Sequence, residues 1–359
     1  MNTPIQASSA LSTPHMLHTQ FPCLPHQTTF IATAREQLCR ILNGQDSRLL
    51  LIVGPCSIHH VGMAKEYALK LKSLADVLSD TFFVVMRTYF EKPRTTKGWK
   101  GILYDPWLDG SDDVETGLQW TRQLLLNLAD LQVPTAAEFL DPASVAYFGD
   151  LLTWSCIGAR TSSSQIHRQM AASLSMPVGF KNNVDGNIEV AVSGVLSAAQ
   201  RHVFMGTNIH GQLSKIHAEG NPNGHIVLRG GVGSPNYDAA SIAKALDMLE
   251  CASLPKHVLV DCSHDNSSRQ HVRQPIVFKS VLQQVAENGL PVRGLLLESY
   301  LQGGSQPFTT DPLKRKETVS LTDSCLGWQE TEELLKWGRL FLKQNQTPSP
   351  PQMALSCAH

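Results

Sequence analysis

Short hydrophobic runs alternate with amphipathic windows along most of the chain, and this alternation predicts a parallel α/β fold. Eight runs have the length of buried strands, at residues 49–54, 82–87, 135–139, 156–159, 177–181, 226–229, 257–261 and 292–298. Eight windows repeat apolar positions at helical spacing, at residues 63–78, 114–128, 144–154, 164–174, 187–199, 239–252, 275–287 and 330–343. Strands and helices in alternation predict a (β/α)8 TIM barrel.

Three segments fall outside this alternation. Residues 1–45 form an N-terminal arm rich in Thr, Ser, Pro and Gln, with one predicted helix at 33–42, and residues 344–359 form a tail that we expect to be disordered. Residues 203–220 predict a β-hairpin inserted between barrel helix 5 and strand 6. The catalytic barrel then spans residues 46–343. A bare barrel needs neither arm nor hairpin, so we expect both to serve assembly and regulation.

Composition and charge narrow the classes of partner. With 30 basic and 31 acidic residues the formal net charge is −1, so no overall field attracts nucleic acid or a membrane surface. No apolar stretch approaches the roughly 18 residues of a membrane-spanning helix, and residues 1–20 lack the order of a secretion signal. The eight scattered cysteines contain no C-x-x-C pair, which favours reduced thiols in a cytoplasmic protein.

Four potential metal ligands follow the predicted strands. Cys56 follows the first strand, His264 the seventh, Glu298 ends the eighth, and Asp323 lies in the loop beyond. A buried cysteine or a structural histidine would explain either residue alone. In a barrel, however, these strand ends meet on one face. Together the thiolate, imidazole and two carboxylates favour one divalent ion such as Mn, Fe, Co or Zn over Mg or Ca.

A second set of strand-end residues is cationic. Its members are Arg87, Lys92, Arg94, Arg160, Lys181 and Arg229. A salt bridge at the rim would explain any one of them, but six converging cations require anionic ligands, since arginine matches carboxylate and phosphate oxygens. Glu138 is the only carboxylate that we expect among them. The pattern predicts two anionic substrates, at least one a phosphate ester, with a metal between them.

Several motifs give the chain a specific resemblance. They are GPCSIH at 54–59, YFEKPRTT at 89–96, GWKG at 98–101, IGART at 157–161 and DCSH at 261–264. From about residue 35 to 340 the chain resembles the class I 3-deoxy-D-arabino-heptulosonate 7-phosphate (DAHP) synthases. The resemblance implies a metal-dependent condensation of phosphoenolpyruvate with erythrose 4-phosphate in the shikimate pathway. It also implies a homodimer or homotetramer and feedback inhibition in which the arm and hairpin take part.

The resemblance assigns roles by motif. Cys56, His264, Glu298 and Asp323 look like the metal ligands, and Asp323 is also placed among the substrate contacts. The phosphoenolpyruvate phosphate would be held by Arg160, Lys181 and Arg229, with backbone amides of Glu138 and Ala159. Arg87 and Lys92 would face its carboxylate, and Arg94 and Thr95 would bind the aldose phosphate. Lys92 or His264 is the candidate for proton transfer to the new hydroxyl, and Cys56 completes the catalytic set.

An effector site is implied by the regulated relatives. It would lie between the hairpin and residues 170–175, lined by Met170, Ser175, Phe204 and Gly206. The hairpin sequence resembles tyrosine-responsive members, and a small Gly206 would leave room for a phenolic oxygen. The alternative is a hairpin that only builds the dimer and responds to no aromatic amino acid.

Departures from the family pattern leave other interpretations open. The chain has Asn183 and Val184 where relatives usually have Gly and Thr, and Tyr104 and Trp107 where they usually have Asn and His. Asn tolerates positive φ and would preserve the turn at 183. These changes, with Gly303 after strand 8, are expected around the mouth. They would suit a paralogue with altered aldose preference or a role in secondary metabolism, or a silent effector-binding homologue. The motif KPRT at 92–95 disfavours a five-carbon aldose.

Overall fold

Residues 8–94 and 97–345 are described by the computed structural model. Within them ten strands form, namely β1 (Leu49–Gly54), β2 (Phe82–Arg87), β3 (Thr135–Glu138), β4 (Trp154–Ile157), β5 (Val178–Lys181), β6 (His202–Thr207), β7 (Leu213–Ala218), β8 (Gly224–Leu228), β9 (Val258–Asp261) and β10 (Val292–Glu298). The α-helices of this part are α1 (Pro14–Gln20), α2 (Pro25–Leu42), α3 (Val61–Leu78), α4 (Val114–Asp130), α5 (Val145–Phe148), α6 (Gln165–Ala172), α7 (Glu189–Ala198), α8 (Ala239–Cys251), α9 (Gln274–Asn288) and α10 (Trp328–Asn345).

Eight strands close into a parallel barrel in the order β1-β10-β9-β8-β5-β4-β3-β2. Closure is made by β1, which pairs with β2 on one side and β10 on the other. Every residue of β1, β2 and β9 is buried, as expected when side chains fill the barrel inside and helices cover it outside. The carboxyl ends of all eight strands therefore meet at one mouth.

The predicted fold class is confirmed, with local differences in the elements. Strand β4 begins and ends two residues earlier than predicted. Gly158 and Ala159, predicted as its last residues, belong to the loop at the mouth. The helix predicted at 144–154 is only one turn, α5, preceded by a 3-10 turn at Pro142–Ser144. No helix in the described ranges is both long and apolar enough to cross a membrane.

The N-terminal arm is more structured than predicted. It carries α1, and α2 begins eight residues before the predicted helix, with a proline at its first position, where a missing N–H costs nothing. Leu38 and Ile41 of α2 are fully buried in the same apolar cluster as Leu50 and Ile52 of β1. Helix α2 thus contributes side chains to the core, and whether the barrel folds without residues 1–45 stays a prediction.

The β6–β7 pair is an antiparallel hairpin that lies between α7 and β8, as predicted. Cross-strand pairs place Met205 opposite Lys215 and Thr207 opposite Leu213 on one exposed face. The arm reaches the tip of this hairpin, where the His15 backbone N–H donates to the Ile209 carbonyl at 2.7 Å. The arm and hairpin are thus in direct contact. The disordered tail predicted from residue 344 is wrong for residues 344 and 345, which still belong to α10, and residues 346–359 lie outside the described residues.

Candidate active site

The barrel mouth opens into a cavity of about 140 Å³. Most of the predicted site residues line it, namely Arg87, Lys92, Arg94, Glu138, Ala159, Arg160, Lys181, Arg229, His264 and Asp323. Cys56 and Glu298 adjoin these residues through direct contacts with Lys92 and Arg87. Thr95 lies outside the described residues. The strand ends therefore bring the predicted metal and anion ligands into one place.

Cys56, Glu298 and Asp323 form the centre of the predicted metal site. The Cys56 sulfur and one carboxylate oxygen from each acid lie within 4.8 Å of one another, so one ion could contact all three. Cys56 and Glu298 are buried, and burial, followed by the Glu298 charge, raises the pKa of Cys56 to about 12. A bound divalent ion would have to displace that proton. The donor set fits a borderline divalent ion.

His264 extends this cluster. Its Nε2 lies 3.9 Å from Glu298 Oε1, and its Nδ1 lies 2.9 Å from Asp261 Oδ2. The residue has a φ of 52°, in a left-handed turn after β9. A carboxylate on the far nitrogen of a metal-binding histidine fixes its orientation and raises its basicity. The geometry leaves Nε2 available to a metal.

Lys92 lies between two of the candidate ligands. Its Nζ is 2.8 Å from the Cys56 sulfur and 3.1 Å from Asp323 Oδ2. Burial alone would lower the pKa of Lys92, but Cys56, Asp323 and Glu298 raise it above its usual value. Lys92 is therefore protonated at physiological pH and lies between the candidate metal ligands and the cavity.

Most of the predicted cations have carboxylate partners. Arg87 pairs with Glu298 and Lys181 with Asp261, each at 3.1 Å, and Arg229 pairs with Asp265. The expectation that Glu138 is the only carboxylate among the cations is wrong. The partner carboxylates come from the ends of β9 and β10 and the loops after them. Such partners are expected, because a buried cation without a counter-charge would be costly.

The cavity still presents unneutralised donors. Within the described residues neither Arg94 nor Arg160 has a carboxylate at salt-bridge distance, although Arg94 Nε donates to the Trp99 carbonyl at 3.0 Å. Arg87 Nη1 is buried, and no hydrogen-bond partner for it occurs in the same part of the chain. Arg269, which the sequence interpretation missed, also lines the cavity but pairs with Asp265 at 3.0 Å, so it is not one of these free donors. Free guanidinium donors of this kind suit phosphate and carboxylate oxygens.

Comparison with known proteins decides the family. The family model described as "DAHP synthetase I family" matches residues 23–336. The chain belongs to this family. The Tyr-sensitive phospho-2-dehydro-3-deoxyheptonate aldolase of Escherichia coli (strain K12) is 47% identical over 335 residues, which cover 93% of this chain and 94% of that protein. The Trp-sensitive protein of the same strain is 46% identical over 328 residues, which cover 91% and 93%.

A solved structure supports the same assignment. Phospho-2-dehydro-3-deoxyheptonate aldolase from Francisella tularensis SCHU S4 has a TM-score of 0.92 and 36% identity, over 96% of this chain and 100% of that chain. The predictions of a DAHP synthase family member, of an enzyme and of a TIM barrel are thus confirmed. Relatives sensitive to tyrosine and to tryptophan match about equally well.

The departures from the family pattern are only partly at the mouth. Val184 lines the cavity, whereas Tyr104 and Trp107 do not. The Tyr104 hydroxyl instead lies 3.4 Å from both Glu91 and Asp141, so the expectation that these changes surround the mouth is wrong for the aromatic pair. The idea that residue 183 adopts positive φ is also wrong, since Gly186 takes that role with a φ of 92°.

Glu91 and Asp261 are the buried carboxylates that the sequence interpretation passed over. Glu91 accepts hydrogen bonds from the Leu140 and Asp141 amides and from the Ser144 hydroxyl. Burial raises the pKa of Glu91 to about 7. It anchors the loop that carries Lys92 to the segment after β3. Two sequence positions could have drawn attention to these acids. Glu91 directly precedes Lys92, and Asp261 is the last residue of a buried strand.

The predicted effector residues lie around α6 and the inner face of the hairpin. Met170 is buried in α6, and the Ser175 hydroxyl accepts from Arg35 Nη1 of α2 at 2.9 Å. Gly206 faces Ile216 across the hairpin, so an added Cβ would lie 2.9 Å from Ile216 Cγ1. Phe204 neighbours the same space at 3.4 Å. Effector binding by these residues stays a prediction.

Proposed function

We propose that this protein condenses phosphoenolpyruvate with erythrose 4-phosphate to give DAHP and inorganic phosphate, the first reaction of the shikimate pathway. The main support for this proposal is the cationic cavity at the barrel mouth, which adjoins a cluster of Cys56, His264, Glu298 and Asp323. The names of the relatives support the same reaction. A divalent ion, Mn, Fe, Co or Zn, would be held by Cys56, His264, Glu298 and Asp323.

The cavity has separate donors for each anionic group. Arg160, Lys181 and Arg229 would hold the phosphoenolpyruvate phosphate, with the backbone at Glu138 and Ala159. Arg87 Nη1, which has no hydrogen-bond partner in the described residues, would bind the carboxylate together with Lys92. Arg94 and Thr95 would bind the aldose phosphate at the exposed side. Holding both substrates in one orientation supplies much of the rate acceleration.

The reaction forms a C–C bond between C3 of phosphoenolpyruvate and the aldehyde carbon of the sugar. Water adds at C2, and the phosphate leaves with cleavage of the C–O bond. The bound ion would act as a Lewis acid toward the aldehyde oxygen. Lys92 is the preferred proton donor to the new hydroxyl, because the Nδ1 of His264 is bound to Asp261 and its Nε2 faces the metal cluster.

Phosphate release and phosphoenolpyruvate consumption by the purified protein test this proposal. We expect turnover with erythrose 4-phosphate and far less with C5 aldose phosphates. Chelation should abolish turnover, and Mn²⁺ or Co²⁺ should restore it better than Mg²⁺. Cys56→Ala should lose bound metal, measured by elemental analysis, while circular dichroism keeps the barrel signal. No turnover with any aldose phosphate would favour a silent homologue, and preference for arabinose 5-phosphate would favour a C5-specific synthase.

The proposal includes regulation and assembly. The Tyr-sensitive and Trp-sensitive names of the relatives support an aromatic amino acid as effector. The hairpin and arm are the proposed elements of a homodimer or homotetramer. Inhibition assays with tyrosine, phenylalanine and tryptophan test the first point, and absence of inhibition by all three would favour a purely structural hairpin.

A further inference from the structure

A second cavity, of about 390 Å³, lies on the flank of the barrel. It is enclosed by the start of α3, the middle of α4, the loop before α4 and the segment around residue 315, and it shares no lining residue with the catalytic cavity. Its lining residues are His59, His60, Val61, Gly62, Lys65, Pro106, Trp107, Leu108, Trp120, Gln123, Asn127, Arg315 and Glu317. Its size lies within the range of small-molecule sites.

Two tryptophans form the apolar wall of this cavity. The ring centroids of Trp107 and Trp120 lie 4.6 Å apart, edge to face, and Trp107 Nε1 donates to Asp113 Oδ2 at 3.1 Å. Although it is held in this way, Trp107 is 50% exposed. A fixed, half-exposed indole next to a cavity provides a surface on which a planar ring can stack.

The charges around the wall favour a monoanion. Lys65 and Arg315 line the cavity, and neither has a carboxylate at salt-bridge distance within residues 8–94 and 97–345. The Arg315 guanidinium is held in place by the Leu108 and Thr309 carbonyls, at 3.2 and 3.0 Å. The lining carboxylate, Glu317, lies 3.3 Å from His60 Nε2. The positioned Arg315 and the nearby Lys65 therefore remain for a carboxylate.

His59 ties this cavity to the segment around Glu317. Its Nε2 lies 3.0 Å from the Glu317 backbone carbonyl. The side chain is buried, and burial lowers the pKa of His59 to about 4, so the ring is neutral at physiological pH. His59 therefore adds no charge to the lining.

We propose that the flank cavity, lined by Trp107, Trp120, Lys65 and Arg315, binds an aromatic carboxylate. The ring stacks on the tryptophans and the carboxylate contacts the two cations. The site is also connected to the catalytic centre. His59 lies three residues after Cys56, and Glu317 lies six residues before Asp323 on the segment bonded to His59. Occupancy thus bears on two strand-end loops that carry proposed metal ligands.

Isothermal titration calorimetry of the full chain with indole-3-acetate tests this site. We expect saturable binding of one molecule per chain, and binding of indole, which lacks the carboxylate, at least about tenfold weaker. Trp107→Leu and Lys65→Met should each weaken indole-3-acetate about tenfold or more. Trp337→Leu, which changes a tryptophan stacked on Phe341 of α10, should bind as the wild type does. Arg160→Ala, which changes the catalytic cavity, should also keep the affinity.

Several results would overturn the proposal. Absence of binding at millimolar concentration would do so, as would equal binding of indole or unchanged affinity in both Trp107→Leu and Lys65→Met. Loss of binding in Arg160→Ala alone would place the ligand in the catalytic cavity. Because the readout is binding and not turnover, these outcomes are independent of whether the proposed condensation takes place.

Discussion

Asp261 is fully buried and contacts both halves of the proposed site. Its Oδ2 lies 3.1 Å from Nζ of Lys181, a proposed ligand of the phosphoenolpyruvate phosphate. It also lies 2.9 Å from Nδ1 of His264, a proposed metal ligand. Burial alone would raise the pKa of Asp261, but His264 and Lys181 hold it well below its usual value. One carboxylate thus contacts a proposed metal ligand and neutralises a proposed substrate ligand.

Asp261→Asn is therefore expected to weaken metal binding about 10- to 100-fold, since loss of such a partner misorients the histidine. Titration of the metal-free protein with Mn²⁺ measures this. Asp265→Asn is the matched control, because Asp265 pairs with Arg229 and Arg269 but not with His264. Equal Mn²⁺ affinity in the two variants would contradict the orienting role of Asp261.

The two exposed arginines of the mouth should separate the substrates. Arg94→Ala is expected to raise the KM for the aldose phosphate, and Arg160→Ala the KM for phosphoenolpyruvate, because each removes a charge-assisted phosphate contact. Each loss costs about 1.5–3 kcal/mol, or roughly ten- to a hundredfold. Steady-state kinetics with each substrate varied in turn give the split, and Arg201→Ala, outside the cavity, is the control. Equal damage to the same substrate would disprove this division.

Glu91 makes the free energy of unfolding depend on pH. Because the folded protein holds this proton to about pH 7 and the unfolded chain only to about 4.5, Glu91 lowers the free energy of unfolding as pH rises between these values. The loss amounts to about 3 kcal/mol. Glu91→Gln should remove this slope in urea unfolding at pH 5 to 8, and Glu36→Gln, an exposed site, should keep it. A parallel wild-type and Glu91→Gln profile would refute the assignment.

The hairpin is the element whose exposed face suits assembly. Met205 is 81% exposed and Leu213 is 76% exposed on the same face of the two-stranded sheet. We expect Met205→Asp with Leu213→Asp to lower the oligomeric state in light scattering, because a charge in an apolar interface is costly. Leu313→Asp, at a 95% exposed loop position, serves as control. An unchanged mass would remove the hairpin from the interface.

The elements were predictable where the local signal was strong. Strand β1 coincides with its prediction because Leu49 to Val53 form a continuous apolar run, which a strand buried on both faces requires. The short α5 was overpredicted because its helical pattern continues through Gly149, where the helix in fact ends. The start of α2 was missed because the Thr- and Gln-rich composition around Pro25 hid a good helix start.

Helix α2 packs against the barrel and should contribute to the stability of the whole molecule. Leu38→Ala, at a fully buried position, is expected to lower the free energy of unfolding by about 2–5 kcal/mol. Chemical denaturation measures it, with Glu36→Ala on the exposed side of the same helix expected within about 0.5 kcal/mol of the wild type. Similar values for both variants would mean that α2 is only an assembly arm.

The sequence predicted which residues belong to the candidate site but not how their side chains pair. Motifs placed Cys56, Lys92 and His264 at strand ends, and barrel topology was enough to bring them together. The pairing of Lys181 with Asp261 depends on side-chain directions and burial, which no spacing in the sequence encodes. The same holds for Arg87 Nη1, which has no partner within the described part of the chain. The cavity beside Trp107 arises from four segments that are distant in the chain.

The seven arginines and lysines that line the catalytic cavity outnumber its carboxylates, even when the buried partners Asp261, Asp265 and Glu298 are counted, yet the whole chain has a net charge of −1. The charges outside this site must therefore sum to a negative value, so an excess of positive charge is concentrated at the barrel mouth. Anionic substrates that diffuse nearby would be attracted by the positive field of this mouth. Added salt shortens the range of this field, so capture of substrate should slow as ionic strength increases.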